Sequence, residues 1–125
     1  LPEYAEGTLD LDGFDRLWLL YGFHRAAAAR LRIVPFRDDR AHGVFATRSP
    51  CRPSPLGLSC VRLLSIEGCR LRVAGVDMLD GTPLLDIKPY VPQFDSFPDA
   101  RAGWLDEGRV DRTRADRRFE RGETG

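Results

Sequence analysis

The chain has 125 residues, enough for one domain, with 42% apolar and 30% charged residues, the composition of an ordinary folded chain rather than a disordered one. Its formal net charge is zero, which excludes a broad basic face of the kind that announces a non-specific nucleic-acid binder. No apolar run approaches the ~20 residues that cross a bilayer, and no signal-peptide pattern opens the chain, which begins at Leu1 without Met.

In chain order, Asp12 is placed to cap a short helix within a turn that starts at Leu9. Leu17 to Phe23, LWLLYGF, is a dense apolar and aromatic run whose length suits a buried strand. Its aromatics Trp18, Tyr21 and Phe23 read as core. His24 and Arg25 end the run. Ala26 to Arg30 is too short and too close to Pro35 for a stable helix and reads as a loop or single turn.

Gly43 to Thr47 reads as a strand that runs into SPCRPSPLG. Pro50, Pro53 and Pro55 each hold φ near about −65° and remove a backbone donor. Ser49, Arg52 and Ser54, the residues before them, are pushed toward extended backbone. A loop this stiff, carrying Arg48 and Arg52, resembles an anion or substrate platform more than a mere connection. Arg52 has a plainer role open to it, tying down its own loop. His42 and His24 are isolated histidines, which more often serve as hydrogen-bonded structural groups than as catalysts.

Leu58 to Ile66 and Cys69 to Val76 read as two strands joined at Glu67-Gly68, a hairpin signal. Arg70 and Arg72 alternate with apolar neighbours and point outward. Asp77 to Pro83 is a turn built on Asp80-Gly81, and Leu84 to Ile87 is a further short strand closed by Pro89 and Pro92. Asp86 and Lys88, two apart on a strand, share a face. Phe94, Phe97 and Trp104 lie in a more polar stretch and are candidates for an interface. From Leu105 onward the chain is mostly Arg, Asp and Glu, a solvated tail. Short strands at regular spacing predict an all-β barrel rather than alternating strands and helices.

The chemistry-bearing residues fall in two segments, the Arg48 loop and VDMLDGTPLLDIKPYVPQFDS from Val76 to Ser96. There is no GxGxxG after a strand, no Walker A loop, no GxSxG elbow and no HExxH. Cys51, Cys60 and Cys69 form no CxxC pair, which predicts neither a disulfide framework nor a metal site and suits a reducing, cytoplasmic setting. All but one of the nineteen basic residues are Arg, the exception being Lys88; a GC-rich coding sequence accounts for that bias more simply than phosphate recognition.

ATRSPCRPSPLGLS followed by DMLDGTPLLDIKPYVP, with LDGFDRLWLLYGFHR upstream, closely resembles the TsaA-like family, also called YaeB or TrmO. The resemblance runs from Tyr4 to Trp104. It implies a single-sheeted β-barrel domain over residues 1–104, with 105–125 as a charged tail, and a homodimer. It implies an S-adenosylmethionine-dependent tRNA methyltransferase acting on N6 of N6-threonylcarbamoyladenosine beside the anticodon, in the cytoplasm. By motif, it places donor contacts on His24, Arg25, Arg48, Leu58 and the run Asp77, Met78, Leu79 and Asp80. Asp77, Asp80 and His24 are then candidates for the base, and Lys88 and Tyr90 for polarising the carbamoyl oxygen. Ser54 and Leu56 replace the family's usual Asn and Ile. The family's N-terminal strand, its Pro-Arg-Gln segment and the second domain of longer members have no counterpart here. The alternative is a non-catalytic β-barrel that binds a nucleotide or RNA through the same loops.

Overall fold

A computed structural model describes residues 1–25 and 27–107. Seven elements follow one another: β1 (Arg16–Gly22), β2 (Arg32–Ile33), β3 (His42–Gly43), β4 (Leu56–Glu67), β5 (Arg70–Ala74), β6 (Leu84–Pro89) and a four-residue helix α1 (Pro92–Asp95). Four 3₁₀ turns intervene, at Pro2–Thr8, Leu11–Gly13, Val44–Ala46 and Gly103–Glu107. The residues group into two compact units. One comprises Leu1–Gly22, Gly57–Val76 and Pro83–Ser96; the other comprises Phe23–Leu56, Asp77–Thr82 and the described residues from Phe97.

The first unit is a four-stranded sheet in the order β5-β4-β1-β6. Both β1 with β6 and β4 with β5 pair antiparallel. β1 forms because its apolar residues alternate: Leu17, Leu19 and Tyr21 are buried while Trp18 and Leu20 are half-buried, the period of two that a strand packed mainly on one face requires. Val61 of β4, fully buried, completes this core. Tyr21 lies so close to Gly57 that a Cβ there would stand 2.1 Å from its ring, so only glycine admits the ring. The Tyr21 hydroxyl then meets Ser59 Oγ at 2.6 Å, two residues further along β4 and on the same side. At the other end of the contact, the Leu63 amide donates to the Asp15 carbonyl at 2.9 Å.

The hairpin joining β4 to β5 closes on the Glu67↔Arg70 pair, leaving Gly68-Cys69 as its two-residue loop. Gly68 has φ +60° and Cys69 does not share the positive sign, the type II′ pattern whose twist matches the strands it joins. The hairpin signal at Glu67-Gly68 therefore lies one residue early.

The second unit has little regular structure. β2 and β3 pair through Arg32↔Gly43 and Ile33↔His42, and Val44, 1% exposed, is its buried apolar anchor. The strand expected over Gly43 to Thr47 is corrected to two residues of β3 followed by a 3₁₀ turn. Thr47 causes the change: its amide and its hydroxyl both donate to the Val44 carbonyl, at 3.0 and 2.9 Å, and this local bonding outcompetes a ladder. Asp12 does not cap a helix either. It lies inside the 3₁₀ turn, and Asp10 at the cap position makes no capping bond through its side chain.

The strand-rich class holds, but the sheet is open: among the described residues β5 and β6 are edges and no closed barrel forms. The segment read as a tail from 105 begins within the Gly103–Glu107 turn, and residues 108–125 lie outside the described residues.

Candidate functional site

The Arg48 loop is fixed by its own side chains. Thr47 and Ser49 are buried, and Arg48 between them is exposed. Thr47 Oγ1 accepts the Ser49 amide at 3.3 Å, and Ser49 Oγ accepts the Cys51 amide at 3.3 Å. Arg52 Nη1 donates to the carbonyls of Thr47 and Ser49 at 2.8 and 3.1 Å. Arg52 is therefore the clasp of the loop, spending its guanidinium on the backbone that flanks Arg48. Arg48 makes no hydrogen bond or ion pair among the described residues. The prolines stiffen the loop, the two hydroxyls knit it, and one cation is held outward.

Other segments are stitched to this loop. The Phe23 amide donates to the Pro55 carbonyl at 2.8 Å, and the Arg30 amide to the Cys51 carbonyl at 3.1 Å. The turn carrying His24 and Arg25, both exposed, is thereby tied to the proline loop. Asp77 to Thr82 belongs to the same unit. Its turn closes with the Thr82 amide donating to the Leu79 carbonyl at 3.1 Å and the Thr82 hydroxyl to the same oxygen at 2.6 Å. Gly81, at φ +83°, takes the left-handed position that a type II turn demands. Asp80 and Leu79 are exposed, and Asp77 and Met78 half-buried. Burial pushes the Asp77 carboxyl above the usual carboxylate range, because a less hydrated site penalises the charged form.

The structure thus gathers His24, Arg25, Arg48, Asp77, Met78, Leu79 and Asp80 in one unit, and leaves Leu58, Lys88 and Tyr90 in the sheet unit. Leu58 lies on β4, 54% exposed. Lys88 is exposed beside Asp86, Nζ to Oδ2 3.7 Å, the same-face strand pair that spacing alone predicts and one of little energetic weight in water. Tyr90 is half-buried against Trp18, their ring centres 5.7 Å apart. Trp18 is only half-buried rather than core, and its indole N–H reaches Asp95 Oδ2 at 3.1 Å. The same carboxylate oxygen accepts the Val91 amide at 2.9 Å, which fastens the segment following Tyr90.

Sequence reasoning missed one constellation in the loop unit. Asp38, its side chain 1% exposed, accepts from His42 Nε2 at 2.5 Å, and its other oxygen accepts the Asp39 amide at 2.7 Å. The His42 ring lies flat on Trp104, 4.7 Å between centres at 15°. Trp104 Nε1 donates to the Ala46 carbonyl at 2.8 Å. The four-residue separation of Asp38 and His42 carries no signal, because a loop rather than a helix joins them.

No group of three or more potential metal ligands occurs among the described residues. The motif residues of the loop unit include guanidiniums on Arg25 and Arg48 and carboxylates on Asp77 and Asp80, charge types that complement a carboxylate and an ammonium. A family model for the tRNA-methyltransferase O N-terminal domain matches residues 1–96. A Pyrococcus abyssi protein named "Probable S-adenosyl-L-methionine-binding protein" is 49% identical over 120 residues, 94% of this chain and 65% of that one. The tRNA (adenine(37)-N6)-methyltransferase of Eikenella corrodens is 48% identical over 98 residues, 73% of this chain and 56% of that one. The crystal structure of TrmO from Pseudomonas aeruginosa superposes with a TM-score of 0.68 at 43% identity, covering 83% of this chain and 45% of that one. The chain thus spans between 45 and 65% of the length of these three proteins. With three quarters of its residues matched by the family model and a solved TrmO sharing its fold, the chain belongs to the tRNA-methyltransferase O N-terminal domain family.

Proposed function

We propose that this chain carries the donor-binding part of an S-adenosylmethionine-dependent tRNA methyltransferase that methylates N6 of N6-threonylcarbamoyladenosine in the anticodon loop. The observation that carries the reading is Arg48, exposed between two buried anchors in the unit that also holds Arg25, Asp77 and Asp80. Family membership supports it, as do the names of the P. abyssi and E. corrodens relatives.

Bound S-adenosylmethionine supplies an electrophilic methyl on a sulfonium. The chain's own work is then to orient, desolvate and discriminate. Arg48 binds the donor carboxylate through its planar fork. Its loop is already rigid, so little entropy is lost when it does so. Arg25 and His24 flank the same region, and Asp77 and Asp80 take the donor's ammonium or ribose hydroxyls, with Met78, Leu79 and Leu58 supplying apolar contact. The acceptor nitrogen is acylated, so its lone pair is drawn toward the carbamoyl group and a base that removes its proton assists attack. Asp77, whose burial raises its proton affinity, suits that role better than exposed Asp80 or His24. Lys88 and Tyr90 serve to polarise the carbamoyl oxygen, Tyr90 being steadied by Trp18.

Barrel closure, a homodimer, a domain over residues 1–104 and a cytoplasmic setting complete the reading. The open edges β5 and β6 present unpaired ladder groups on which further strands can add. With no net charge, the RNA footprint is local, one splayed base and its flanking phosphates. Methyl transfer to tRNA bearing the threonylcarbamoyl group, against the same tRNA lacking it, tests the function. Transfer to neither, with the donor still bound in calorimetry, leaves a binding module; absence of donor binding overturns the reading.

A further inference from the structure

We propose that Asp38, His42 and Trp104 are positioning residues that set where Arg48 stands and so tune how tightly the chain holds the donor's carboxylate. This rests on the reading of Arg48 given above. A 3₁₀ turn leaves its last carbonyls without partners inside the turn. Ala46 is the last residue of the Val44–Ala46 turn, two residues before Arg48. Its carbonyl is met by the indole N–H of Trp104, a group that can only donate.

Trp104 is itself held. Its ring lies flat on His42, and the His42 ring is fixed by the buried Asp38 carboxylate. Asp38 is fixed in turn by the Asp39 amide and by a turn in which its own amide donates to the Pro35 carbonyl at 3.2 Å. The other side of the 3₁₀ turn is secured by the Val44 amide, which donates to the Leu31 carbonyl at 2.9 Å, and by the burial of Val44. Arg52 secures the loop after Arg48. The approach to Arg48 from the amino-terminal side is therefore anchored by a relay of three side chains, the last of which lies beyond residues 1–96, the stretch the family model matches.

The test uses the full chain with Trp104→Phe, which keeps an aromatic ring at that position and removes the N–H donor together with the pyrrole part of the indole. Asp38→Asn and Arg48→Ala are measured beside it. The probes are S-adenosylmethionine and its decarboxylated analogue, titrated by calorimetry, with hydrogen exchange followed over the peptide spanning Val44 to Arg52. Trp104→Phe is expected to weaken S-adenosylmethionine binding about fivefold, the value of one lost neutral hydrogen bond, to leave the analogue's affinity unchanged, and to speed exchange at Thr47 and Ser49, whose amides are hydrogen-bonded within the loop. Asp38→Asn is expected to act in the same direction. In the double variant Trp104→Phe with Arg48→Ala, binding is expected to be no weaker than with Arg48→Ala alone. Unaltered exchange in Trp104→Phe, or equal weakening toward both probes, overturns the positioning role. Normal donor binding by Arg48→Ala overturns the site reading instead, so the two failures are seen on different variants.

Discussion

The two units are stabilised in different ways. The sheet unit relies on apolar burial: Leu17, Leu19, Tyr21 and Val61 sit almost entirely out of water along strands whose backbone groups pair with each other. Among the described residues of the loop unit only Val44 and Pro35 are buried apolar side chains, and the unit holds its shape through side chains bonded to backbone, namely Thr47, Ser49, Arg52, Asp38 and Trp104. Burial is non-directional and sums with area, whereas these hydrogen bonds fix positions one atom at a time. Stability and geometry are thereby assigned to different regions, and most of the residues offered as donor contacts lie where geometry is fixed.

That contrast can be broken by mutation. Leu17→Ala, at a fully buried site, should cost about 3 kcal/mol in urea unfolding, the largest effect expected. Gly57→Ala should follow, at about 2 kcal/mol, because the Tyr21 ring is held by burial and by Ser59 and has nowhere to go. In the loop unit the effects should move from stability to binding. Arg52→Ala should cost about 1 kcal/mol and also weaken S-adenosylmethionine in calorimetry, since the backbone around Arg48 loosens. Arg48→Ala should leave the unfolding midpoint within about 0.5 kcal/mol of the parent while lowering donor affinity about tenfold. If Arg48→Ala destabilises as much as Leu17→Ala, the division between the units fails.

The smallest effect concerns pH. Folding raises the Asp77 carboxyl above its ordinary value of 3.8, so in the window just above that value the folded chain binds more proton than the unfolded one. Stability should then fall slightly as pH rises through the window and become flat above it. Asp77→Asn should remove this slope from a series of unfolding curves, and a slope that persists in the variant would assign it to another group.

What could be read in the sequence follows from the same contrast. β1 and the β4–β5 hairpin were legible because alternation and a glycine turn are local patterns, and the Asp80-Gly81 turn for the same reason. Gly43 to Thr47 misled because Val44 and Phe45 have strand propensity, while the deciding bonds run from Thr47 back to Val44. Trp18 looked like core because its neighbours are apolar; its N–H found Asp95, a partner distant in sequence. The residues proposed as donor contacts come from the resemblance, and the stiffness of the Arg48 loop could be read from its prolines. The relay behind that loop was not, since Asp38, His42 and Trp104 meet only through the fold.

The chain has two tryptophans, and the fold has put one in each unit. Trp18 lies beside a phenol ring and a carboxylate in the sheet unit, and Trp104 lies on an imidazole in the loop unit. Each unit therefore carries its own chromophore in its own surroundings. Excited where indole absorbs and phenol does not, a Trp18→Phe chain emits from the loop unit alone, and a Trp104→Phe chain from the sheet unit alone. Whether the region that sets geometry melts together with the region that supplies stability, or before it, becomes a matter of comparing two emission curves.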